Sequence, residues 1–372
     1  MIQKNQKELA FQSNRVVSMD QFRGYTVAGM FLVNGIGHYR AIPGILGHHN
    51  TYCSYADVIM PQFFFAVGFA LRLALLRHIE KSGKPEAYKK AVWRCLALML
   101  IGFVVYGLNG SYQRWDELKD LGLWGFLTTS FHRSYFQALV HIGVTSLWIL
   151  PVIAAGIPAR IVFMTLSAAL QLSLCAWFYF DWGFAVRVVD GGPIGFLTWC
   201  IPALFGSIAY DVVTGQTPPR AIRTVAVWSG TLMVIGYALS CLAAIKQPGT
   251  GLGQFLVEPP FIDTWRDINL WTMSQRVASV SYLVFAAGFS GISYVFFIWW
   301  SDIKGYSSEL FRVFGQNALV GYIIHLYVEE SVNNFIPHDA PLWWVIFGFS
   351  IFFGITWLLM RGLDRQGIHL RL

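Results

Sequence analysis

The sequence predicts an all-α fold, a polytopic integral membrane bundle of about ten transmembrane helices. Hydrophobic residues make up 55% of the 372 positions, and charged residues make up only 13%. A soluble domain usually carries about 25% charged residues, roughly twice that share. Because apolar runs recur along the whole chain, we expect residues 1–372 to form a single bilayer-embedded domain rather than several soluble ones.

Ten segments are apolar enough and long enough to cross a bilayer as helices. The first and the ninth contain polar residues, which is typical of helices that face a protein interior rather than lipid. Residues 1–19 are polar, and the apolar segment after them has no convincing small-residue cleavage site. We therefore expect a cytoplasmic N-terminal segment followed by an uncleaved first helix. The ten predicted spans are residues 21–38, 56–77, 92–109, 135–155, 159–180, 194–211, 221–244, 276–300, 311–328 and 341–360.

The distribution of basic residues predicts the orientation in the membrane. With the N-terminus in the cytoplasm, 19 of the 27 lysines and arginines fall on the cytoplasmic side and 8 on the outer side. An excess of Lys and Arg in cytoplasmic loops sets the topology, so we expect both termini in the cytoplasm. The same bias accounts for the net charge of +7, and we expect no nucleic-acid partner.

A first group of polar residues lies on the first predicted span, within SMDQFRGYTVAGMFLVN (18–34). Asp20 and Arg23 share a helix face at its cytoplasmic start, where an ion pair is the simplest role. Asn34 is eleven residues beyond Arg23. At about 1.5 Å per residue it lies roughly 16 Å deeper, where a hydrogen bond between helices is the simplest role.

A second group of polar residues precedes the second predicted span, in GHHNTYCSYADVIMP (47–61). His48 and His49 lie just before Asp57, which begins that span. A carboxylate near an imidazole raises its basicity and orients the ring, as general-base catalysis requires. From this spacing alone, a catalytic pair and a solvated outer loop are equally supported.

A third group of polar residues lies on the ninth predicted span, in FGQNALVGYIIHLYVEE (314–330). Tyr322 and His325 are three residues apart and share a helix face, and Asn317 precedes them. A buried histidine such as His325 is more often a satisfied core residue than a catalyst. The sequence shows no metal-ligand spacing with cysteine, no P-loop and no nucleotide fingerprint, so no metal is expected.

Together these stretches resemble the heparan-α-glucosaminide N-acetyltransferase family of transmembrane acyltransferases. Residues 18–34 resemble its first-helix pattern S-x-D-x-F-R-G followed by a methionine and V-N. Residues 48–68, HHNTYCSYADVIMPQFFFAVG, resemble its histidine loop and A-D-x-x-x-P-x-F-x-F-x-x-G element. Residues 270–288 resemble its W-T-x-S helix, and residues 314–325 its G-x-N-x-x-x-x-Y-x-x-H segment. Acyltransferase family 3 is a more distant resemblance.

The resemblance implies an acetyl-CoA-dependent acyltransferase that is located in a bacterial inner membrane. The family moves acetyl groups from cytoplasmic acetyl-CoA to a sugar across the bilayer, so the implied partners are acetyl-CoA, a glycan or amino-sugar acceptor and lipid. By motif, Asn34 matches the active-site asparagine, His48 the catalytic histidine and Asp57 the aspartate of A-D-x-x-x-P. His49 is the rival to His48 because the loop alignment needs a gap. Whether His48 is a general base or a transient acyl carrier stays open.

Acetyl-CoA is expected to bind along two helices. Arg23 and neighbouring basic residues would meet its phosphates at the cytoplasmic start of the first helix, where Asp20 is also assigned to the cofactor site. Asn317, Tyr322 and His325 would contact it from the ninth.

Two departures from the family pattern leave the acceptor open. The family loop commonly has a tryptophan after the histidine, where this chain has Asn50 to Tyr52. The family's L-Q-R-I element has its arginine replaced by His141. A rival class is a transporter or permease for a small polar solute, since buried Asp, His and Asn also mark substrate pathways. That class predicts an inverted repeat, which the sequence does not show. The oligomeric state also stays open, a homo-oligomer included.

Overall fold

The computed structural model describes residues 16–50, 52–107, 112–130, 136–245, 248–249 and 251–368. Within these residues the chain forms thirteen α-helices and no strand, which confirms the all-α prediction. The helices are α1 Val17–Ile36, α2 Tyr55–Ser82, α3 Lys84–Gly102, α4 Trp115–Ser130, α5 Ala138–Ile153, α6 Ile157–Leu174, α7 Phe180–Val186, α8 Phe196–Gly215, α9 Pro218–Cys241, α10 Val280–Phe297, α11 Glu309–Gln316, α12 Ala318–Asn333 and α13 Leu342–Arg365.

Six helices in the described part of the chain are long and apolar enough to cross a membrane. Two of them are continued by π-helical turns, at Cys175–Tyr179 between α6 and α7 and at Ile298–Ile303 after α10. The other four predicted spans fall on α1, α3, α5 and the α11–α12 pair, which are helical but shorter or more polar. The six spans are Tyr55–Ser82, Ile157–Val186, Gly192–Gly215, Pro218–Ile245, Val280–Ile303 and Leu342–Arg365.

Three details differ from the sequence-based expectation. The ninth predicted span is broken at Asn317, whose backbone (φ −117°, ψ 33°) separates α11 from α12. The predicted W-T-x-S helix is a turn through Ser279, and α10 begins only at Val280. The predicted outer loop 110–134 contains α4, which is kinked at Gly122 (φ 62°). In the first two cases a local break or turn replaces part of a predicted helix, and in the third a kinked helix replaces a predicted loop.

The centre of the bundle is the contact between α2 and α8. The membrane-length segment containing α8 is 83% buried. A Cβ on Gly68 of α2 would lie 1.7 Å from the carbonyl oxygen of Ala203 in α8, so the two backbones touch. Phe64 stacks on the fully buried Trp199 at a ring-centroid distance of 4.7 Å. Small residues therefore set the spacing of the core, as they do between packed membrane helices.

One end of the core is held together by a buried charge network. Arg72 of α2 donates from Nε to Asp211 of α8 at 2.8 Å and from Nη1 to the Ile153 carbonyl at 2.6 Å. Arg160 of α6, fully buried, donates to the other oxygen of Asp211 and to Ser207. The network ties α2, α6 and α8 to the last carbonyls of α5, which would otherwise lack partners at the helix end.

The outer helices α9 and α13 face away from the core. Only 22% of the membrane-length segment of each is buried. Their exposed side chains include large apolar ones such as Val234 and Leu358, which are 68% and 65% exposed. An apolar periphery of this kind is compatible with a lipid environment.

Candidate functional site

A single large cavity of about 1660 Å³ contains most of the predicted site residues. It lies between α1, α2, α3, α5 and α12, and its lining includes both ends of α1. Asp20 and Asn34 are fourteen residues apart on α1, which places them roughly 21 Å apart along the helix axis. The cavity therefore extends along most of the length of α1.

The two ends of the cavity are polar and its middle is apolar. We call the end near the start of α1 the basic end; it is lined by Asp20, Arg23, His78, Lys90 and Arg94. We call the opposite end the histidine end; it is lined by His48, Arg187, Asp190, Gln275 and Arg276. Between them the lining is mostly apolar, with Met30, Val33, Ile59, Met60, Phe63, Ala66 and Leu71.

At the basic end, the predicted Asp20–Arg23 pair is present. Arg23 Nη2 lies 3.2 Å from Asp20 Oδ1, and Arg23 Nε donates to the Gly315 carbonyl of α11. Lys90 and Arg94 of α3 line the same end. Three permanent cations against one carboxylate make this end electropositive.

At the histidine end, His48 and Asp57 form a hydrogen-bonded pair. His48 Nδ1 lies 3.0 Å from Asp57 Oδ1. An ionised carboxylate can only accept, so we assign the proton to Nδ1, which leaves Nε2 as the basic nitrogen. The His48 side chain is 50% exposed and lines the cavity, whereas that of Asp57 is 1% exposed. This geometry is that of an imidazole base oriented by a buried carboxylate.

The position of Asp57 follows from the start of α2. Ser54 is the N-cap of that helix, and Asp57 accepts from the backbone N–H of Ser54 at 3.0 Å in a capping box. The N–H of His49 lies 3.3 Å from the same carboxylate oxygen. A negative charge is favourable in the first turn of a helix. The residues that begin α2 thus also fix the carboxylate that holds His48.

The environment of His48 favours its protonated form. Burial lowers the pKa of the imidazole, but the hydrogen bond and charge of Asp57 raise it, with further contributions from Asp190 and Gln275. The net effect is a pKa above the usual 6.5. A more basic imidazole accepts a proton more readily, which suits a general base.

His49, the rival histidine, is oriented differently. Its Nε2 lies 2.7 Å from the Gly44 carbonyl, and its ring stacks on Tyr52 at 4.3 Å. His49 is not among the described residues that line the cavity. The structure therefore brings His48, rather than His49, to the cavity.

Asn34 lines the cavity, and its side-chain amide forms a hydrogen bond with the buried His325. Asn34 Nδ2 lies 3.4 Å from His325 Nε2, and His325 Nδ1 lies 3.2 Å from the Gly321 carbonyl. With the proton assigned to Nδ1, the imidazole accepts from the amide. Glu329 is 3.9 Å from the same His325 nitrogen. The second N–H of the Asn34 amide is then available to a molecule in the cavity.

The other predicted acetyl-CoA residues divide into two sets. Tyr322 lines the cavity and accepts a 2.8 Å hydrogen bond from Tyr106. Asn317 and His325 are buried, 1% and 0% exposed, and neither belongs to the described lining. Direct contact of these two with acetyl-CoA stays a prediction; His325 contacts Asn34 instead.

Sequence reasoning missed two residues at the histidine end. Asp190 lies between α7 and α8, and Gln275 lies in the turn before α10. They are 85 residues apart, and Gln275 Nε2 donates to Asp190 Oδ1 at 2.7 Å. A lone acid in an outer loop carries no local signal, although the Asp-Gly-Gly sequence at 190–192 marks a tight turn.

Within the described ranges, no group of three or more His, Cys, Asp or Glu side chains is arranged to hold a metal ion. No protein-family model matches the sequence, and no curated protein matches it significantly. The resemblance to the transmembrane acyltransferases stays a prediction that rests on its four motifs.

Proposed function

We propose that this protein is an integral membrane acyltransferase that moves an acetyl group from cytoplasmic acetyl-CoA to a sugar on the outer side. The observation that carries the proposal is one cavity with a basic end and a histidine end, separated by an apolar middle. A donor with phosphates and an acceptor with a dissociable proton need these two chemistries.

The proposed orientation places all ten predicted segments across a bacterial inner membrane, with both termini in the cytoplasm. The 19-to-8 distribution of basic residues supports it. In this orientation the N-terminal end of α1, and with it the basic end of the cavity, faces the cytoplasm. Acetyl-CoA is a cytoplasmic metabolite, so its phosphates would meet the basic end.

The proposed binding mode extends acetyl-CoA along the cavity. The phosphates would lie near Arg23, Lys90 and Arg94, because guanidinium and ammonium groups make strong charge-assisted hydrogen bonds to phosphate. The pantetheine arm would pass through the apolar middle beside Tyr322. The volume of about 1660 Å³ exceeds that of a typical small-ligand pocket of about 300–1,000 Å³ and leaves room for a long cofactor.

The proposed chemistry uses Asn34 and His48. The acceptor oxygen or nitrogen forms a bond to the thioester carbonyl carbon while His48 Nε2 takes the acceptor's proton. The Asn34 amide donates to the oxyanion of the tetrahedral intermediate. The carbon–sulfur bond then breaks, and the imidazolium returns the proton to the CoA thiolate. Asp57 keeps Nδ1 protonated and stabilises the imidazolium. In a two-step form of the same reaction, Nε2 first takes the acetyl group as the carbon–sulfur bond breaks and CoA leaves as the thiolate. The acceptor then attacks the acetyl-imidazole, the bond to Nε2 breaks, and the acceptor's proton goes to the thiolate.

The test is a sided transfer assay in sealed liposomes. The purified full chain is reconstituted with glucosamine inside and radiolabelled acetyl-CoA outside, and His48→Ala liposomes serve as the control. We expect acetylated sugar inside the vesicles, where acetyl-CoA cannot reach. Glucosamine leaving the vesicles at the same rate without acetyl-CoA, and no acetylation, would instead indicate the rival transporter.

A further inference from the structure

Asp190 and Gln275 form a second polar pair at the histidine end, which the mechanism above does not use. Both line the cavity together with His48. Asp190 is only 8% exposed. One of its carboxylate oxygens accepts from Gln275 at 2.7 Å. The pair brings a buried acceptor group into the same space as the basic nitrogen of His48.

The backbone around this pair is held in place by tertiary hydrogen bonds. The Gly191 N–H donates to the Arg276 carbonyl at 2.8 Å, and this bond joins the loop before α8 to the turn before α10. Trp199 Nε1 donates to the Asp190 carbonyl at 2.7 Å, and Thr198 donates to the Ala278 carbonyl at 2.8 Å. Both segments are thereby fixed against the first turn of α8.

The two segments also contain unusual backbone conformations. Arg187, Asp190 and Ala278 have φ values of 58°, 52° and 47°, and they are three of the four described non-glycine residues with positive φ. Such conformations are unfavourable, persist only where the surroundings impose them, and cluster at functional sites. The fold maintains them where Arg187 and Asp190 line the cavity.

The Asp190 carboxylate has unused hydrogen-bonding capacity. Among the described residues, its second oxygen has no hydrogen-bond partner. Burial raises the pKa of Asp190 to about 6, while the His48 charge and the Gln275 hydrogen bond act to lower it. The group is thus largely ionised at neutral pH. A buried carboxylate is stable only when donors satisfy it.

We propose that Asp190, positioned by Gln275, is the acceptor-binding residue of the site. It accepts a hydrogen bond from a hydroxyl or amino group adjacent to the one that attacks the thioester. His48 takes the proton of the attacking group, and Asp190 forms and breaks no covalent bond. A molecule with two neighbouring donor groups, such as the vicinal diol or amino alcohol of a sugar ring, satisfies both acceptors at once. This inference rests on the proposed acetyl transfer and specifies its acceptor.

The test compares two acceptors for the same acetyl group, water and sugar. The full chain in lipid nanodiscs is assayed for CoA release from acetyl-CoA alone and for acetyl transfer to glucose, glucosamine and single-deoxy analogues of glucose. Asp190→Asn preserves the left-handed backbone preference and an oxygen that accepts from Gln275, but removes the charge. We expect the KM for sugar to rise about tenfold to a hundredfold, the scale of a hydrogen bond to a charged group. We expect CoA release with water to fall by a clearly smaller factor, because water needs no such contact and loses only the contribution of the Asp190 charge to the basicity of His48.

Specificity gives a second readout. Wild-type protein should prefer glucose over the analogue that lacks the neighbouring hydroxyl, and Asp190→Asn should lose that preference. Asp339→Asn, at an exposed carboxylate between α12 and α13, is the matched control and should change neither reaction. A parallel loss of hydrolysis and transfer in Asp190→Asn, or an unchanged preference, would overturn the assignment.

The outcomes separate the two proposals. Wild-type hydrolysis without transfer to any sugar of the panel overturns the acceptor site and leaves the thioester chemistry standing. Neither hydrolysis nor transfer by wild-type protein overturns the proposed function, and the acceptor site with it.

Discussion

At the scale of single residues, the contrast between His48 and His49 gives the first prediction. His48→Ala should abolish acetyl transfer and leave acetyl-CoA binding nearly intact, because the imidazole acts on the acceptor and not on the phosphates. Loss of a general base lowers the rate by about a hundredfold to ten-thousandfold. His49→Ala should cost much less, since that ring bonds the Gly44 carbonyl and stacks on Tyr52.

Single-turnover rates and equilibrium binding of radiolabelled acetyl-CoA measure the two effects separately. Loss of activity in His49→Ala with retention in His48→Ala would transfer the role to the neighbouring residue. Full activity in both variants would end the histidine hypothesis.

The second prediction concerns pH and also belongs to the residue scale. His48 must be neutral to accept a proton. Burial lowers the pKa of this imidazole, but the hydrogen bond and charge of Asp57 outweigh burial and raise the pKa above 6.5. Activity should therefore fall as pH drops through this raised pKa and stay level above it. Asp190, with a pKa of about 6, loses its charge over the same acidic range. Two basic side chains, Arg187 and Arg276, line the same end.

Asp57→Asn provides the check on that pH profile. An asparagine at this position can still accept from the Ser54 N–H with its amide oxygen, but it removes the charge that raises the imidazole pKa. The inflection in the plot of kcat/KM against pH should move to lower pH, and the plateau should fall because the amide no longer holds Nδ1 protonated. An inflection that stays in place would separate His48 from the observed titration.

At the scale of helices, the crossing of α2 and α8 gives the third prediction. Gly68→Leu places a Cβ 1.7 Å from the Ala203 carbonyl oxygen. That oxygen is a backbone atom, so it can move away only if the helix itself shifts. Overpacking of this kind costs about 1–3 kcal/mol and occasionally more, and we expect the upper part of that range. Gly230→Leu is the matched control, since a Cβ there meets nothing within 4 Å.

Thermal unfolding in detergent, followed with a thiol-reactive dye, measures the difference. The buried Cys53, Cys95, Cys175 and Cys200 become reactive only when the bundle opens. Gly68→Leu should lower the midpoint strongly and Gly230→Leu should not. Equal midpoints would mean that α2 and α8 do not meet at this contact.

The helices also indicate which parts of the fold the sequence determines locally. Each of the ten predicted apolar segments overlaps a helix in the described part of the chain, because a long apolar run favours a helix that is buried in lipid or protein. The break at Asn317 was not predicted, since it accompanies the close crossing of α11 over α1. There a Cβ on Gly24 would lie 1.8 Å from the Phe311 carbonyl oxygen. The turn before α10 depends on bonds such as Ser279 to the Thr272 carbonyl, and hydropathy carries no information about them.

The contacts of the candidate site also differ in how far the sequence predicts them. His48 and Asp57 are nine residues apart, so their pairing was visible as a spacing. Asp190 and Gln275 meet across 85 residues, and Asn34 meets His325 across 291. Contacts at such separations are set by the packing of whole helices, so a single sequence does not show which residues meet.

At the scale of the whole molecule, the cavity separates two chemical environments by most of the length of α1. Its apolar middle disfavours free passage of ions. A thioester on an extended arm can cross that middle while its charged phosphates stay at the basic end. In the proposed function, this arrangement favours transfer of the acyl group over transfer of the whole cofactor, and the basic end must face the compartment that holds acetyl-CoA.

The last prediction tests that orientation. In a background without the five native cysteines, Gln113→Cys and Ser82→Cys place single thiols at exposed positions on opposite predicted sides. Ser82 ends α2 on the same side as the basic end, and Gln113 precedes α4 in the predicted outer segment. A membrane-impermeant maleimide applied to intact cells should label Gln113→Cys and should label Ser82→Cys only after permeabilisation. Labelling of Ser82→Cys in intact cells, with Gln113→Cys protected, would mean that the basic end faces the outside of the cell. Cytoplasmic acetyl-CoA would then have no access to it, and the proposed direction of transfer would be excluded.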